Sequence, residues 1–427
     1  MANKKYVFFY AFINLLSFLP YVLFMLYGAN ISWYPMLFFY IMMYTANFWI
    51  NLFNFEVLSS ILAMRICLTL SILGSLLVFA GVIPIVGAMM IGICVNYSGF
   101  LSSQVRASFQ VKVSKKLELT QVLLTLALTA GISVLLFSVP INWNFLVFGI
   151  GSVLALFSLP SLSKDSKIQI SQPKLTSIAI SKATLLLVAT STIFTLKLAR
   201  STTLGFNTGV LLVIVALGVI VSLLEIKGLK AKYHKSNERL ALSYNFIQGA
   251  LNTLCMLYVS FATIIFSNSG NILFTLTLPI ILAVVTALIF SNQLVRLSPR
   301  ILLTLNIIGL LLTVSPLLIS LGTYIAFTSN ALLIGSVYCK YGSVLSKEIT
   351  FSKSTPHYFS KFGSLTAQVW LVLGFMLASG QHERIFDLMK ALGRGQAIRL
   401  LPYLGLGLLI SVLALTLEFS YFKSQKK

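Results

Sequence analysis

The sequence predicts an all-α, polytopic membrane protein of about fourteen transmembrane helices, and three observations lead there. Of 427 residues, 58% are hydrophobic and 9% are charged, whereas soluble domains carry about 25% charged residues. Mean hydropathy is correspondingly high, at +0.95. Apolar runs of about 20 residues, the length that crosses a bilayer, recur along the whole chain. These runs lack the period-two alternation of a membrane β-barrel, so helices are the form that satisfies their backbone in lipid. A water-soluble enzyme is excluded by composition.

In chain order the runs fall at about 6–28, 33–54, 60–81, 84–105, 119–139 and 143–161. A pair follows at 182–200 and 206–226. The last six are 240–267, 271–292, 301–322, 325–346, 362–380 and 402–422. Two polar, Lys-rich stretches, 162–181 and 227–239, set off the central pair. The expected domains are an N-terminal six-helix bundle at 1–161, basic linkers with a central helix pair at 162–239, and a C-terminal six-helix bundle at 240–427. Transporters are commonly built from such repeated halves. Met1–Tyr6 leads straight into the first run with no signal-peptide pattern.

A formal net charge of +22 would suit nucleic acid, but the basic residues sit in the short gaps between apolar runs. With the N-terminus placed in the cytoplasm, every Lys and Arg falls on the inner side except Lys197, Arg200, Arg384, Lys390, Arg394 and Arg399. The outer turns near Asn30, Val82, Pro140, Asn268 and Gly322 hold neither residue type. This is the positive-inside pattern. It points to anionic inner-leaflet lipid as partner rather than nucleic acid, and to an inner (cytoplasmic) membrane location with both termini cytoplasmic. Lys197 and Arg200 read as snorkelling side chains at the outer end of helix 7. Cys67, Cys94, Cys255 and Cys339 lie far apart inside apolar segments, so neither a disulfide framework nor a metal site is expected. No cofactor is expected either.

Within the membrane the polar side chains are amides and hydroxyls. Asn47, Asn51 and Asn54 share one face of helix 2 at i, i+4 and i+7, and Asn245, Gln248 and Asn252 share one face of helix 9. Asn14 and Tyr21 lie on helix 1; Asn96, Tyr97 and Gln104 lie on helix 4. A buried amide must find partners, so these faces point inward, either tying helices together or lining a polar pathway. Asn14, Tyr21, Asn47, Asn51, Asn96, Tyr97, Asn245, Gln248 and Asn252 are the candidate pathway residues. The aromatics Phe8, Phe9, Phe12, Phe38, Phe39 and Tyr40 read as facing lipid or the interface.

Ser291-Asn-Gln-Leu-Val-Arg-Leu-Ser-Pro-Arg300, between helices 10 and 11, resembles the loop signature Gly-x-Leu-x-Asp-Arg-x-Gly-Arg-Lys of the major facilitator superfamily. Leu294, Arg296 and Arg300 carry the match; Val295 stands for the Asp, and Ser291 and Ser298 stand for glycines. Trp143-Asn-Phe-Leu-Val-Phe-Gly is similar to the opening of helix 6 in that superfamily's fourteen-helix drug-efflux branch. Gly205-Phe206 with Glu225 resembles its central pair, and Gly363-Ser-Leu-Thr-Ala-Gln its penultimate helix. The resemblance implies two six-helix major facilitator bundles plus the central pair, and efflux of a small organic solute by alternating access. It also implies a cytoplasmic gate at Arg296, Ser298 and Arg300, with protons as the candidate coupling ion.

The acids bear on that coupling. Glu56, Glu118, Asp165, Glu225, Glu238, Glu348, Glu383, Asp387 and Glu418 are all the carboxylates in the chain. Glu56, Glu225 and Glu418 are placed at cytoplasmic helix ends and the rest in loops. With no mid-membrane carboxylate to titrate, the expectation is a facilitator, or coupling at the cytoplasmic ends through a group such as Glu56. The outer stretch Gln381–Leu401, with His382, Glu383, Arg384, Asp387, Lys390, Arg394 and Arg399 among apolar residues, reads as a short amphipathic interfacial helix. Two further classes compete with a transporter: a saccharide-lipid flippase of the multidrug/oligosaccharide-exporter type, and a membrane glycan ligase or polymerase using that basic stretch.

Overall fold

A computed structural model of the chain describes residues 2–52, 55–57, 60–109, 111, 114–161, 168–170, 216, 220, 236–266, 282, 286, 299–313, 318, 321–330, 332–333, 355–379 and 394–425. The chain divides into two units, Met1–Lys197 and Leu198–Lys427. The expected central pair, save residues 216 and 220, lies outside the described residues.

Among the described residues of the first unit the α-helices are α1 (Ala2–Asn30), α2 (Trp33–Leu52), α3 (Ser60–Ala80), α4 (Pro84–Val105), α5 (Lys115–Ser138) and α6 (Ile141–Ser158). Each coincides with one of the first six apolar runs. The α3–α4 turn places Gly81 at φ 69 and Ile83 at φ 54. Glycine takes that conformation at no steric cost, and Pro84 then opens α4 at the position where its missing N–H is harmless.

The faces of α3 and α6 show which solvent this unit suits. Ile66, Leu73 and Leu76 on α3 and Trp143, Ile150, Leu154 and Phe157 on α6 are exposed. Ser71, Gly74 and Ser75, and Gly149 and Ser152, are buried where the helices meet. Large apolar side chains outside and small residues inside is the packing of membrane helices, which gain by close approach rather than by hiding hydrocarbon from water. The Ser71 and Ser152 hydroxyls hydrogen-bond at 3.0 Å. Gly74 and Gly87 let α3 and α4 touch: a Cβ on either would come 2.6 Å from the other's carbonyl oxygen. Among the described residues four helices are long and apolar enough to cross a membrane, over Ser60–Ala80, Pro84–Ser102, Ile141–Ser158 and Leu401–Glu418.

α1 runs through the middle of the unit, packed against α2, α4, α5 and α6. That placement corrects the reading of the aromatics as lipid-facing. Phe9, Phe12, Phe39 and Tyr40 are buried, and Phe8 and Phe38 are half-buried. With four helices packed against it, α1 directs these rings into a core, as in the Phe24–Phe39 stack at 4.5 Å and the Phe24–Phe145 contact at 5.0 Å.

A two-stranded antiparallel ribbon was not foreseen. β1 (Phe55–Val57) pairs with β2 (Ile168–Ile170), with Glu56 opposite Gln169. Glu56 therefore sits in a strand rather than at a helix end, and part of the 162–181 linker is tied to the α2–α3 connection.

In the second unit the described long helices are α7 (Ser236–Phe266), α8 (Pro299–Leu312), α9 (Thr355–Ser379) and α10 (Arg394–Gln425); residues 321–330 are also helical. α7 packs on α9 and α10, α9 on α10, and α8 on α10. The first unit pairs α1 with α5 and α6, α5 with α6, and α3 with α6, which is the same set of neighbours. A glycine pair recurs too, with Gly309 against Gly322. Arg65, Gly74 and Gly87 have the same spacing as Arg300, Gly309 and Gly322. α10 also corrects the reading of Gln381–Leu401 as one separate segment. Arg394 and Arg399 lie in the opening turns of this 32-residue helix, where Gly395 falls in the first turn and no proline interrupts Arg394–Leu401; residues 381–393 lie outside the described residues.

Candidate functional site

α1 is the natural place to look for a polar pathway in the first unit, because its position is central and its charge is nil between Tyr6 and Asn30. Among its described side chains from Tyr6 to Tyr27, Asn14 alone is exposed. An amide open to hydrocarbon would lack hydrogen-bond partners at a cost of several kcal/mol, which makes Asn14 a candidate pathway group. Two turns along the same face, Tyr21 meets Tyr44 of α2 hydroxyl to hydroxyl at 3.3 Å. Its ring lies edge-on to Phe39 and Tyr40, at 5.9 and 5.4 Å. One turn the other way, the Tyr10 hydroxyl donates to the Ser102 carbonyl of α4 at 2.7 Å. Asn14 thus lies on a strip of amide and phenol groups.

α7 repeats the arrangement in the second unit. Among its described side chains from Leu240 to Tyr258, Asn252 alone is exposed. Asn245 and Gln248 precede it on the same face and are half-buried, and Asn245 Nδ2 donates to the Ala241 carbonyl at 2.7 Å.

Asn96 is placed differently. It is 2% exposed, and its Nδ2 donates to the Met43 carbonyl at 2.6 Å, so it joins α4 to α2. Tyr97, next to it, is half-buried. Asn47 and Asn51 lie on α2. Of the expected gate, Arg300 is exposed in the first turn of α8; Arg296 and Ser298 lie outside the described residues, as do Asn54, Lys197 and Arg200.

Four titratable groups were undervalued in the sequence. Arg65, in the second turn of α3, donates through Nη2 to the Pro160 carbonyl at 2.9 Å. Pro160 lies two residues past the end of α6, so the guanidinium caps that helix and meets the negative end of its dipole. The repeated spacing aligns Arg65 with Arg300, a correspondence detectable by comparing the chain with itself. On α9, ahead of the apolar stretch 362–380, burial holds the His357 imidazole well below its ordinary value, with nearby Lys361 adding to the effect. Burial also lowers Lys361 to about 8. Glu418 lies beside Ser243 of α7, seven residues before the end of α10, so it is not terminal as the sequence suggested. Among the described residues no cluster of His, Cys, Asp and Glu could hold a metal ion.

The helix pairings have a precedent among solved structures. The chain matches a crystal structure described as a POT family transporter in complex with thioalcohol-conjugated peptide, with TM-score 0.55 and 15% identity over 98% of this chain and 96% of that one. The fold is that of a POT family transporter. In fold this agrees with the resemblance read from the sequence. No protein-family profile and no curated protein matches the chain. At this identity the likeness concerns the course of the backbone.

Proposed function

We propose that the chain is a secondary transporter of the major facilitator type, moving a small organic solute across a membrane by alternating access. The observation that carries this reading is that Asn14 and Asn252 are each the one exposed amide among the described side chains of Tyr6–Tyr27 and Leu240–Tyr258. A purely structural membrane protein has no use for such openings, whereas a carrier needs polar groups exposed to its cargo.

The fuller reading keeps fourteen helices, with bundles at 1–161 and 240–427 and linkers plus a central pair at 162–239. The membrane is the inner (cytoplasmic) one, and both termini are cytoplasmic. The direction is efflux, of drug-like or amphipathic compounds. Tyr21, Asn47, Asn51, Asn96, Tyr97, Asn245 and Gln248 accompany Asn14 and Asn252 along the pathway, and Arg296, Ser298 and Arg300 form the cytoplasmic gate. Transport is facilitated, or coupled to protons at the cytoplasmic ends.

The test compares cells producing the protein with cells producing the Asn14→Leu/Asn252→Leu double variant at equal membrane abundance. Both are loaded with a panel of labelled small molecules, and intracellular content is followed by mass spectrometry. Faster clearance of at least one compound by the unaltered protein is expected. Identical profiles from the two strains contradict the proposal.

A further inference from the structure

We infer that the solute is an anion whose carboxylate or phosphate is received by Lys361 of α9, in a groove that α9 shares with the amides of α7. This rests on the transporter reading and names its substrate class. Every residue concerned belongs to the second unit.

α7 and α9 meet backbone to backbone. Ser360 lies against Gly249, and the Phe246 carbonyl lies against Gly363. The Ser364 hydroxyl donates to the Gly249 carbonyl at 3.1 Å. On α10, a Cβ added to Gly407 would touch both Leu254 of α7 and Trp370 of α9. From the crossing to that shared neighbour, α7 advances from 249 to 254 and α9 from 360 to 370, so the two helices run parallel.

The direction fixes which side chains share a face. Residues turn clockwise by about 100° each when a helix is viewed from its N-terminus. On α7, Asn245, Gln248 and Asn252 lie anticlockwise of Gly249. On α9, His357, Lys361 and Gln368 lie clockwise of the Ser360, Gly363 and Ser364 contact. For parallel neighbours those two directions open on the same side, so the α7 amides and the α9 stripe wall one groove. Gln248 precedes Gly249 and Lys361 follows Ser360, which puts the amide and the lysine at the same level.

Lys361 is half-buried, and no described residue forms an ion pair with it. Burial alone lowers it, to about 8, so it still bears a charge at neutral pH. The described acids of α7 and α10 stand elsewhere. Glu418 lies beside Ser243, about 120° clockwise of Gly249 and so on the opposite side of α7. Glu238 precedes Gly249 by about 16 Å along the helix. His357 is held neutral by burial and by Lys361 itself, which leaves one cation on this face. A desolvated ammonium without a counter-ion is costly, and a solute oxyanion removes that cost through a charge-assisted hydrogen bond. The amide N–H groups of Gln248 and Asn252 are donors suited to the same oxyanion. An uncharged solute would leave the ammonium uncompensated.

Matched anionic and neutral probes test this in proteoliposomes: glucuronate and glucose, uridine monophosphate and uridine, N-acetylalanine and N-acetylalanine amide. Initial uptake at zero membrane potential is compared for the unaltered protein, Lys361→Met, Lys361→Arg and protein-free liposomes. The expected result is at least one pair whose anionic member enters tenfold or more faster than its neutral partner. That advantage should vanish in Lys361→Met and survive in part in Lys361→Arg, which keeps the charge. Neutral members that enter as fast as their anionic partners in every pair overturn the inference while leaving the transporter reading in place. So does an anion advantage that Lys361→Met retains, or one that Lys361→Arg loses as completely as Lys361→Met. If no probe enters faster than through protein-free liposomes, the inference and the transporter reading fail together.

Discussion

Asn14 of α1 and Asn252 of α7 are both exposed amides on helices that are otherwise covered over their described side chains, from Tyr6 to Tyr27 and from Leu240 to Tyr258. Each is the one exposed residue among the described side chains over five or more turns of its helix. Each helix packs against the equivalent pair of neighbours, α5 and α6 in one case and α9 and α10 in the other. An amide facing lipid is costly, so one on each of these two helices is better explained by contact with water and solute.

Replacing either amide should damage transport and spare the fold. Substitutions at exposed positions usually change stability by less than about 0.5 kcal/mol, so Asn14→Leu and Asn252→Leu should unfold in detergent within a few degrees of the unaltered protein. Flux of a transported solute should fall tenfold or more in each, equivalent to about 1.4 kcal/mol of lost interaction. Thermal unfolding and initial rates, measured on the same preparations, check both halves.

The α3–α4 contact should be intolerant of a single methyl group. Gly74→Ala drives a Cβ to 2.6 Å from the Gly87 carbonyl oxygen, and overpacking of this kind costs about 1–3 kcal/mol. At Gly99 of α4 nothing lies within 4 Å of an added Cβ, so Gly99→Ala should leave the unfolding midpoint unchanged. The comparison of the two midpoints isolates packing from helix propensity.

Arg65 should contribute through charge and reach together. Arg65→Met removes the hydrogen bond to the Pro160 carbonyl and the cation at the end of α6. The expected loss is about 1 kcal/mol, with part of it recovered in Arg65→Lys. Denaturant titration of the three proteins measures the order.

Lys361 sets a pH dependence whose sign follows from its burial. Its folded-state value lies at about 8, below that of an unfolded lysine, near 10.4. The folded state thus binds fewer protons than the unfolded state between those limits, and stability rises with pH through the window. Below pH 8 the full cost of charging Lys361 is present. The unfolding midpoint should climb between pH 8 and 10, and Lys361→Met should flatten that climb.

The six helices of the first unit were legible because their apolar runs are long and sharply bounded: the run at 33–54 became Trp33–Leu52, and the run at 84–105 became Pro84–Val105. The ribbon of β1 and β2 was not, because three residues are too few to show a period and their pairing bridges more than a hundred positions. The aromatics of α1 misled because apolar rings in a membrane helix look the same whether lipid or another helix lies beside them. Asn14 and Asn96 are equally ambiguous in the sequence, each an amide within an apolar run. What separates them is tertiary: α2 brings the Met43 carbonyl to Asn96, while Asn14 is left open. The Arg65-Gly74-Gly87 and Arg300-Gly309-Gly322 repeat was present in the sequence all along, carried by three positions too scattered to form a local motif.

The central claim is that water reaches Asn14 and Asn252 within the membrane, and cysteine accessibility tests it most directly. Cys67, Cys94 and Cys255 are buried and make a quiet background once Cys339 is replaced by Ser. In that background, Asn14→Cys and Asn252→Cys in sealed vesicles should react with a charged, membrane-impermeant methanethiosulfonate, while Ile13→Cys and Leu251→Cys should not. Labelling of the two asparagine positions with protection of their neighbours is the predicted result. Protection of both asparagine positions from the water-borne reagent would contradict the account.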